Sequence, residues 1–198
     1  MKSIIRYGFI LSVICLVATG LLAFVNSFTK TKINQQAQAE IQDSLKVVLP
    51  DATLFEPVRS KDEILYYKAL DANKNLLGVA FTAKNKGYSS DIETMVGMRP
   101  DGTITAIKIL NQNETPGLGS KITEVKDDTT IFDFFKGKRK TESKKPWFQE
   151  QFLNKKISEL DDIQAITGAT ISSNAVIISV KIKAQEILKS LENENINE

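Results

Sequence analysis

Apolar residues run almost unbroken from Tyr7 to Thr29, a stretch of 23 residues without a charge, bounded by Arg6 and Lys30. Wound as a helix, it reaches about 35 Å against about 30 Å of bilayer hydrocarbon, and so predicts a transmembrane helix. Gly8 and Gly20 are tolerated in such a helix. A cleaved signal peptide is the competing reading, because Lys2 and Arg6 precede the segment. Its apolar run is too long for a signal core, however, and no small-x-small cleavage site follows. Cys15 lacks the small residues expected before a lipoprotein cysteine. The segment therefore reads as an uncleaved anchor. After it, Ile33, Ala37, Ile41, Leu45 and Val48 recur at helical spacing. They predict an amphipathic linker helix over 30–50 that stops before Pro50 and packs its stripe on the domain beyond.

The period then changes. Residues 64–70 and 76–81 carry strand signals around Asp71-Ala72-Asn73-Lys74-Asn75, which reads as a hairpin turn. Residues 92–98 and 103–110 flank Arg99-Pro100-Asp101-Gly102, where Asp-Gly is a strong hairpin signal. Thr103 to Ile109 alternates polar with apolar positions, as a strand with one solvated face does. Residues 120–160 are mixed. Ile131 to Phe135 and Trp147 to Phe152 suggest short helical or irregular pieces that supply aromatic core. From Asn174 to Leu191 the helical period returns, with Val176, Ile177, Val180, Ala184, Ile187, Leu188 and Leu191 as the buried stripe. A polar tail over 192–198 is expected to fray. The pattern predicts an α+β fold: an antiparallel sheet with packed helices, on a single N-terminal transmembrane helix.

Composition narrows the chemistry mainly by what is missing. The chain of 198 residues has no His and one Cys, Cys15, inside the anchor. Metal sites built on His or Cys, iron–sulfur ligation and Cys or His nucleophiles are thereby excluded from the rest, and no metal site is expected. Redox chemistry would fall to a bound organic cofactor. Setting aside Lys2 and Arg6, 24 basic residues stand against 24 acidic ones, so nucleic-acid binding is not expected. The basic run Lys136 to Lys140, with Lys144 and Lys145, reads as a solvated loop, with contact to anionic lipid or a partner subunit as the alternative.

Two short segments carry candidate chemistry. Ile166-Thr167-Gly168-Ala169-Thr170-Ile171-Ser172-Ser173 leads into the closing helix. It places the Thr170 hydroxyl on a small-residue turn at a helix N-terminus, where free N–H groups and the helix dipole favour a phosphate. Gly168 and Ala169 allow a bulky cofactor to approach the backbone. Ser172 and Ser173 are expected as N-caps. A capped turn without chemistry is the plainer reading of this geometry. Upstream lies Glu114-Thr115-Pro116-Gly117-Leu118-Gly119. Thr-Pro-Gly-Leu reads as a type II turn, with Pro116 presetting φ and Gly117 supplying φ > 0, and Gly119 permits another close approach.

The first segment resembles the attachment motif of the covalent FMN-binding domain family, Ser/Thr-Gly-Ala-Thr-x-Ser/Thr, and the second resembles a flavin-lining segment of the same family. With Lys86-Gly87-Tyr88, the resemblance covers residues 60–190. It implies FMN held covalently on Thr170 by a phosphoester of its ribityl phosphate. It also implies a flavin site made of Thr167, Gly168, Ala169, Ser172, Ser173, Glu114, Thr115, Gly117, Leu118 and Gly119. The family often has an acidic residue six positions before the modified threonine, where this chain has Gln164, with Asp161 and Asp162 upstream. Trp147 reads as core packing, with cover over a flavin ring as the alternative.

The single anchor, small size and one flavin domain look most like the G-subunit family of Rnf complexes. The C-subunit family of Na⁺-translocating NADH:quinone reductases is similar but generally longer. A membrane-tethered binding module without a redox group is the reading from another class. The Rnf resemblance implies an electron-transfer subunit of a translocase coupling ferredoxin/NAD chemistry to Na⁺ or H⁺ transport. Its partners would be other membrane subunits, with a flavin transferase for maturation. Charges tie across the anchor, Lys2 and Arg6 against Lys30 and Lys32. The short leading tail and the family place residues 1–6 in the cytoplasm, 7–29 across the membrane, and the flavin domain, 51–191, on the outer face.

Overall fold

The computed structural model describes residues 2–60, 63–125 and 146–196. The chain forms two compact units, Met1–Gln42 and Asp43–Glu198. A single helix, α1 (Lys2–Val48), makes up the first and supplies the opening residues of the second. In the first unit its large apolar side chains from Ile5 to Phe28 are exposed. The helix is long and apolar enough to cross a membrane, and a helix apolar on every side suits lipid. The anchor and linker segments are thus one uninterrupted helix. Polarity changes at Lys30-Thr31-Lys32, but no Gly or Pro there breaks the hydrogen-bond ladder. Of the expected stripe, Leu45 and Val48 are buried together with Leu49, whereas Ile33 is exposed.

The second unit is built on a six-stranded antiparallel meander whose spatial order follows the chain. Its strands are β1 (Leu54–Ser60), β2 (Glu63–Leu70), β3 (Leu76–Lys86), β4 (Asp91–Met98), β5 (Thr103–Asn111) and β6 (Lys155–Lys156). The two expected hairpins form, and their loops share one geometry. In the first, Lys74 N–H donates to Asp71 O and Asp71 N–H to Asn75 O; in the second, Gly102 N–H donates to Arg99 O and Arg99 N–H to Thr103 O. Lys74 (φ 65°) and Gly102 (φ 80°) occupy the left-handed position that closes each loop. The Asp71 carboxylate accepts from the N–H groups of Asn73 (2.7 Å) and Asn75 (2.8 Å), which anchors the loop that lacks glycine.

β3 runs to Lys86, five residues beyond the expected end, and it is covered on both faces. On one face Val79, Phe81 and Ala83 join Ile92, Val96 and Met98 of β4 in the main core. That core is closed by the helix α3 (Thr170–Ile196) through Val176, Ile177, Val180, Ala184, Ile187 and Leu191. On the other face, Gly78 and Gly97 leave room for Leu49 and Val48. Burial on both faces explains why these strands read as apolar runs instead of clean alternation. Between β5 and α3 lie a 3-10 helix (Gly119–Thr123), the short α2 (Trp147–Glu150) and a second 3-10 helix (Ile157–Asp162). Phe148 and Phe152 meet edge to face at 5.6 Å in the core, as the aromatic pattern predicted, and Trp147 packs against it. The segment Ile131–Phe135 and the basic run from Lys136 to Lys145 lie outside the described residues. α3 runs to Ile196.

The last carbonyls of α1 have no acceptor role within the helix ladder. One is satisfied across the sheet: Thr105 Oγ of β5 donates to Val48 O at 2.7 Å. Thr105→Val keeps the shape and removes the donor, and should cost about 1 kcal/mol. Chemical denaturation in detergent should show a lower midpoint with an unchanged slope; an unchanged midpoint would make this contact incidental.

Candidate functional site

Three segments far apart in sequence meet at one buried carboxylate. The turn between β3 and β4 is tight, with Gly87 N–H donating to Ser90 O at 2.8 Å. Its next three N–H groups point at Glu114, which is 5% exposed. Tyr88 donates to Oε2 at 3.1 Å, and Ser89 and Ser90 donate to Oε1 at 3.0 Å each. From the third segment, Ser172 Oγ donates to Oε2 at 2.6 Å, a length typical of a hydroxyl bound to an ionised carboxylate. Burial by itself raises the Glu114 pKa, but the Ser172 hydroxyl and the three backbone donors outweigh it and hold the pKa below the ordinary 4.5. Glu114 is therefore ionised at neutral pH. Space around it is reserved by glycines: a Cβ on Gly119 would stand 2.5 Å from Glu114 Oε2, and one on Gly87 would stand 2.6 Å from Oε1.

Beside the carboxylate lie two turns of the same kind. In Thr115–Leu118, Leu118 N–H donates to Thr115 O at 3.1 Å with Gly117 at φ 74°. This is the hydrogen bond and the positive third φ expected of a type II turn there. In Ile166–Ala169, Ala169 N–H donates to Ile166 O at 2.9 Å with Gly168 at φ 82°. The turns touch: Leu118 Cδ2 is 3.6 Å from the position a Gly168 Cβ would take. Between them opens a cleft of about 270 Å³. Its walls are Tyr88, Thr115, Leu118, Gly119 and the run Gly168 to Ser172.

The closing helix starts four residues earlier than the periodicity suggested. Thr170 is its first residue, and Ser173 N–H makes the first helical bond, to Ala169 O at 2.8 Å. Ser172 and Ser173 are therefore inside the first turn and are not N-caps. Both are buried; Ser172 serves Glu114, and Ser173 Oγ accepts from Ile166 N–H at 3.1 Å, fixing the turn before the helix. Thr170 is exposed at the cleft, and the N–H groups of this first turn lack helical partners. Thr115, Leu118, Gly119, Gly168, Ala169, Thr170 and Ser172 are thus brought together. Glu114 stands behind the wall, Gly117 shapes its turn, and Thr167 lines an adjoining hollow with Trp147, Lys121 and Gln164. Tyr88 and Ile171 complete the lining and were absent from the sequence-derived set. The available signal was an aromatic residue set between Gly87 and two serines, too polar a neighbourhood for core.

These residues fit a phosphorylated cofactor. A threonine hydroxyl at a helix start stands beside two glycine turns in a cleft whose lining also includes Tyr88, Leu118 and Ile171.

Known proteins resemble this chain along most of its length. Residues 87–185 match the FMN-binding domain, and residues 1–48 match the RnfG N-terminal region. The chain is 33% identical over 178 residues to the G subunit of the proton-translocating ferredoxin:NAD(+) oxidoreductase complex of Clostridium ljungdahlii, covering 89% of this chain and 88% of that one. It is 33% identical over 199 residues to the G subunit of the Na(+)-translocating ferredoxin:NAD(+) oxidoreductase complex of Acetobacterium woodii, covering 93% and 91%. Among solved structures, Shewanella oneidensis NqrC is similar over 74% of each chain, with a TM-score of 0.46 and 18% identity. An FMN-binding domain behind an RnfG N-terminal region, with such relatives along nearly its whole length, places this chain in the G-subunit family of ion-translocating oxidoreductase complexes.

Proposed function

We propose that this chain is the flavin relay of an Rnf-type complex, with FMN joined to Thr170 through a phosphoester and the flavin domain on the outer face of the membrane. One observation carries the reading: the FMN-binding-domain match, residues 87–185, contains all three segments that meet at the cleft, and an exposed threonine hydroxyl stands there at a helix start. When bound, FMN supplies electron-transfer chemistry that the side chains of this domain lack.

The chain's own residues position that group. The N–H groups of the first turn of α3 and its dipole favour a phosphate next to Thr170 Oγ. The glycines of the two turns keep side chains from blocking the approach. Glu114 fixes the turn at Tyr88 and the helix start in one frame. Attachment through phosphate leaves the ring system free of covalent modification and prevents loss of the cofactor. The protein passes electrons between partners and turns over no soluble substrate of its own. Its partners are the other membrane subunits of the complex, and a flavin transferase is required for its maturation.

After co-expression with a flavin transferase, peptide mass mapping should find the mass of FMN less one water on the peptide containing Thr170. Thr170→Ala should lose the flavin fluorescence that survives denaturation. An adduct on Thr167 instead would overturn the assignment. The segment Glu114 to Gly119 is tested by Gly117→Val, because an ordinary side chain in left-handed backbone costs about 1–2 kcal/mol and forces this turn to move. The flavin absorption spectrum or midpoint potential should shift with the covalent bond intact; a folded variant with neither change removes the loop from the site. Orientation is read with reporters fused after Glu198. One active only outside the cytoplasm should give signal, and one active only inside should not. The reverse pattern would place the domain within reach of soluble cytoplasmic donors and defeat the outer-face relay.

A further inference from the structure

A flavin anchored at Thr170 requires a wall for its ring as well as a hold on its phosphate. Of the side chains lining the cleft, Tyr88 is the aromatic one. It is 68% exposed, so its ring contributes little to the core, yet its backbone is tightly held. Tyr88 N–H donates to Glu114 Oε2, the two following N–H groups donate to Oε1, and the preceding Gly87 N–H closes the turn on Ser90 O. Ser89 Oγ and Thr115 Oγ1 lie 3.3 Å apart and tie this turn to the neighbouring loop. Glu114 is itself fixed by Ser172, two residues after Thr170 on the same helical turn. A continuous set of hydrogen bonds therefore sets the position of the Tyr88 backbone relative to Thr170.

We propose that Tyr88 is the aromatic wall against which the flavin ring rests, and that Glu114 is the positioning residue that holds it at a fixed place relative to Thr170. The proposal rests on Thr170 as the site of FMN. An exposed aromatic ring on a rigid backbone gives a stacking surface with little ordering cost on binding. Trp147, the aromatic residue of the adjoining hollow, packs instead against the core.

The test uses the full-length protein, co-expressed with a flavin transferase and purified in detergent. A phenol ring in contact with a flavin quenches its emission, so fluorescence per bound flavin, with occupancy measured after denaturation, reports the contact directly. Wild type should be dim and brighten several-fold on denaturation. Tyr88→Leu should be several-fold brighter than wild type in the native state, with a longer lifetime, and Tyr88→Phe should lie between them. Glu114→Gln removes acceptor capacity and should brighten the flavin with Tyr88 still present. Combined with Tyr88→Leu it should add nothing, an absence of additivity that general loosening of the domain would not produce. If Glu114→Gln does not fold, Ser172→Ala, which removes one donor from the carboxylate, takes its place in the same cycle. A flavin-loaded Tyr88→Leu no brighter than wild type overturns the wall, as does brightening by Trp147→Leu alone. Additive brightening, or none from Glu114→Gln, overturns the positioning role. A wild-type protein without covalent flavin overturns the assignment of Thr170, and this proposal falls with it.

Discussion

The candidate site depends on a carboxylate taken out of water. Burying Glu114 without partners would be costly, and here the cost is offset by neutral donors from two other parts of the chain: three N–H groups of the β3–β4 turn and the hydroxyl of Ser172. The arrangement is reciprocal. Without the carboxylate, the same three N–H groups would lose their common protein acceptor. The charge also lies near the start of α3, where the helix dipole favours a negative group. One side chain thus sets where the β3–β4 turn and the helix meet, and the cleft is the space left beside that junction.

The two glycine turns complete the frame by a shared economy of shape. Each reverses the chain over four residues with a glycine in left-handed backbone at the third, and the two pack against each other through Leu118. The main apolar packing is kept beneath the site, in the core that α3 closes, and the cleft wall combines small residues with Tyr88, Leu118 and Ile171. That division lets the domain be well packed and still leave a hydroxyl and unpaired N–H groups accessible.

Most of this organisation was legible in the sequence where local chemistry and tertiary packing agree. Both hairpins were visible from Asp71 to Asn75 and from Arg99 to Gly102, because turn chemistry there is decided within five residues. The buried stripe of α3 was visible because Val176, Val180, Ala184, Ile187 and Leu191 fall on one helical face. β1 was not, since its edge position leaves Glu56, Pro57 and Arg59 without an alternating burial pattern. β6 is two residues long and has no pattern to read. The start of α3 was misplaced because Thr-Ile-Ser-Ser is a weak helix former that reads as a cap; Glu114, distant in sequence, and the nearby Ile166 backbone hold those serines in the first turn. The same reason hid the role of Glu114 itself: the motif marked it as part of a loop, but its donors come from residues 24 to 26 positions earlier and 58 later.

Those sequence separations bear on how the protein matures. The sheet is a meander in which every strand pairs with its neighbour in the chain, so its hairpins can form progressively during synthesis. The cleft cannot, because Ser172 and Thr170 belong to a helix that follows every strand of the sheet in the chain. Until α3 has docked, Glu114 lacks its hydrogen bond from Ser172 and the cleft lacks Thr170. A modifying enzyme that requires the assembled cleft would therefore discriminate finished domains from nascent ones without any separate quality signal, and a cofactor would be installed only where the fold that uses it already exists.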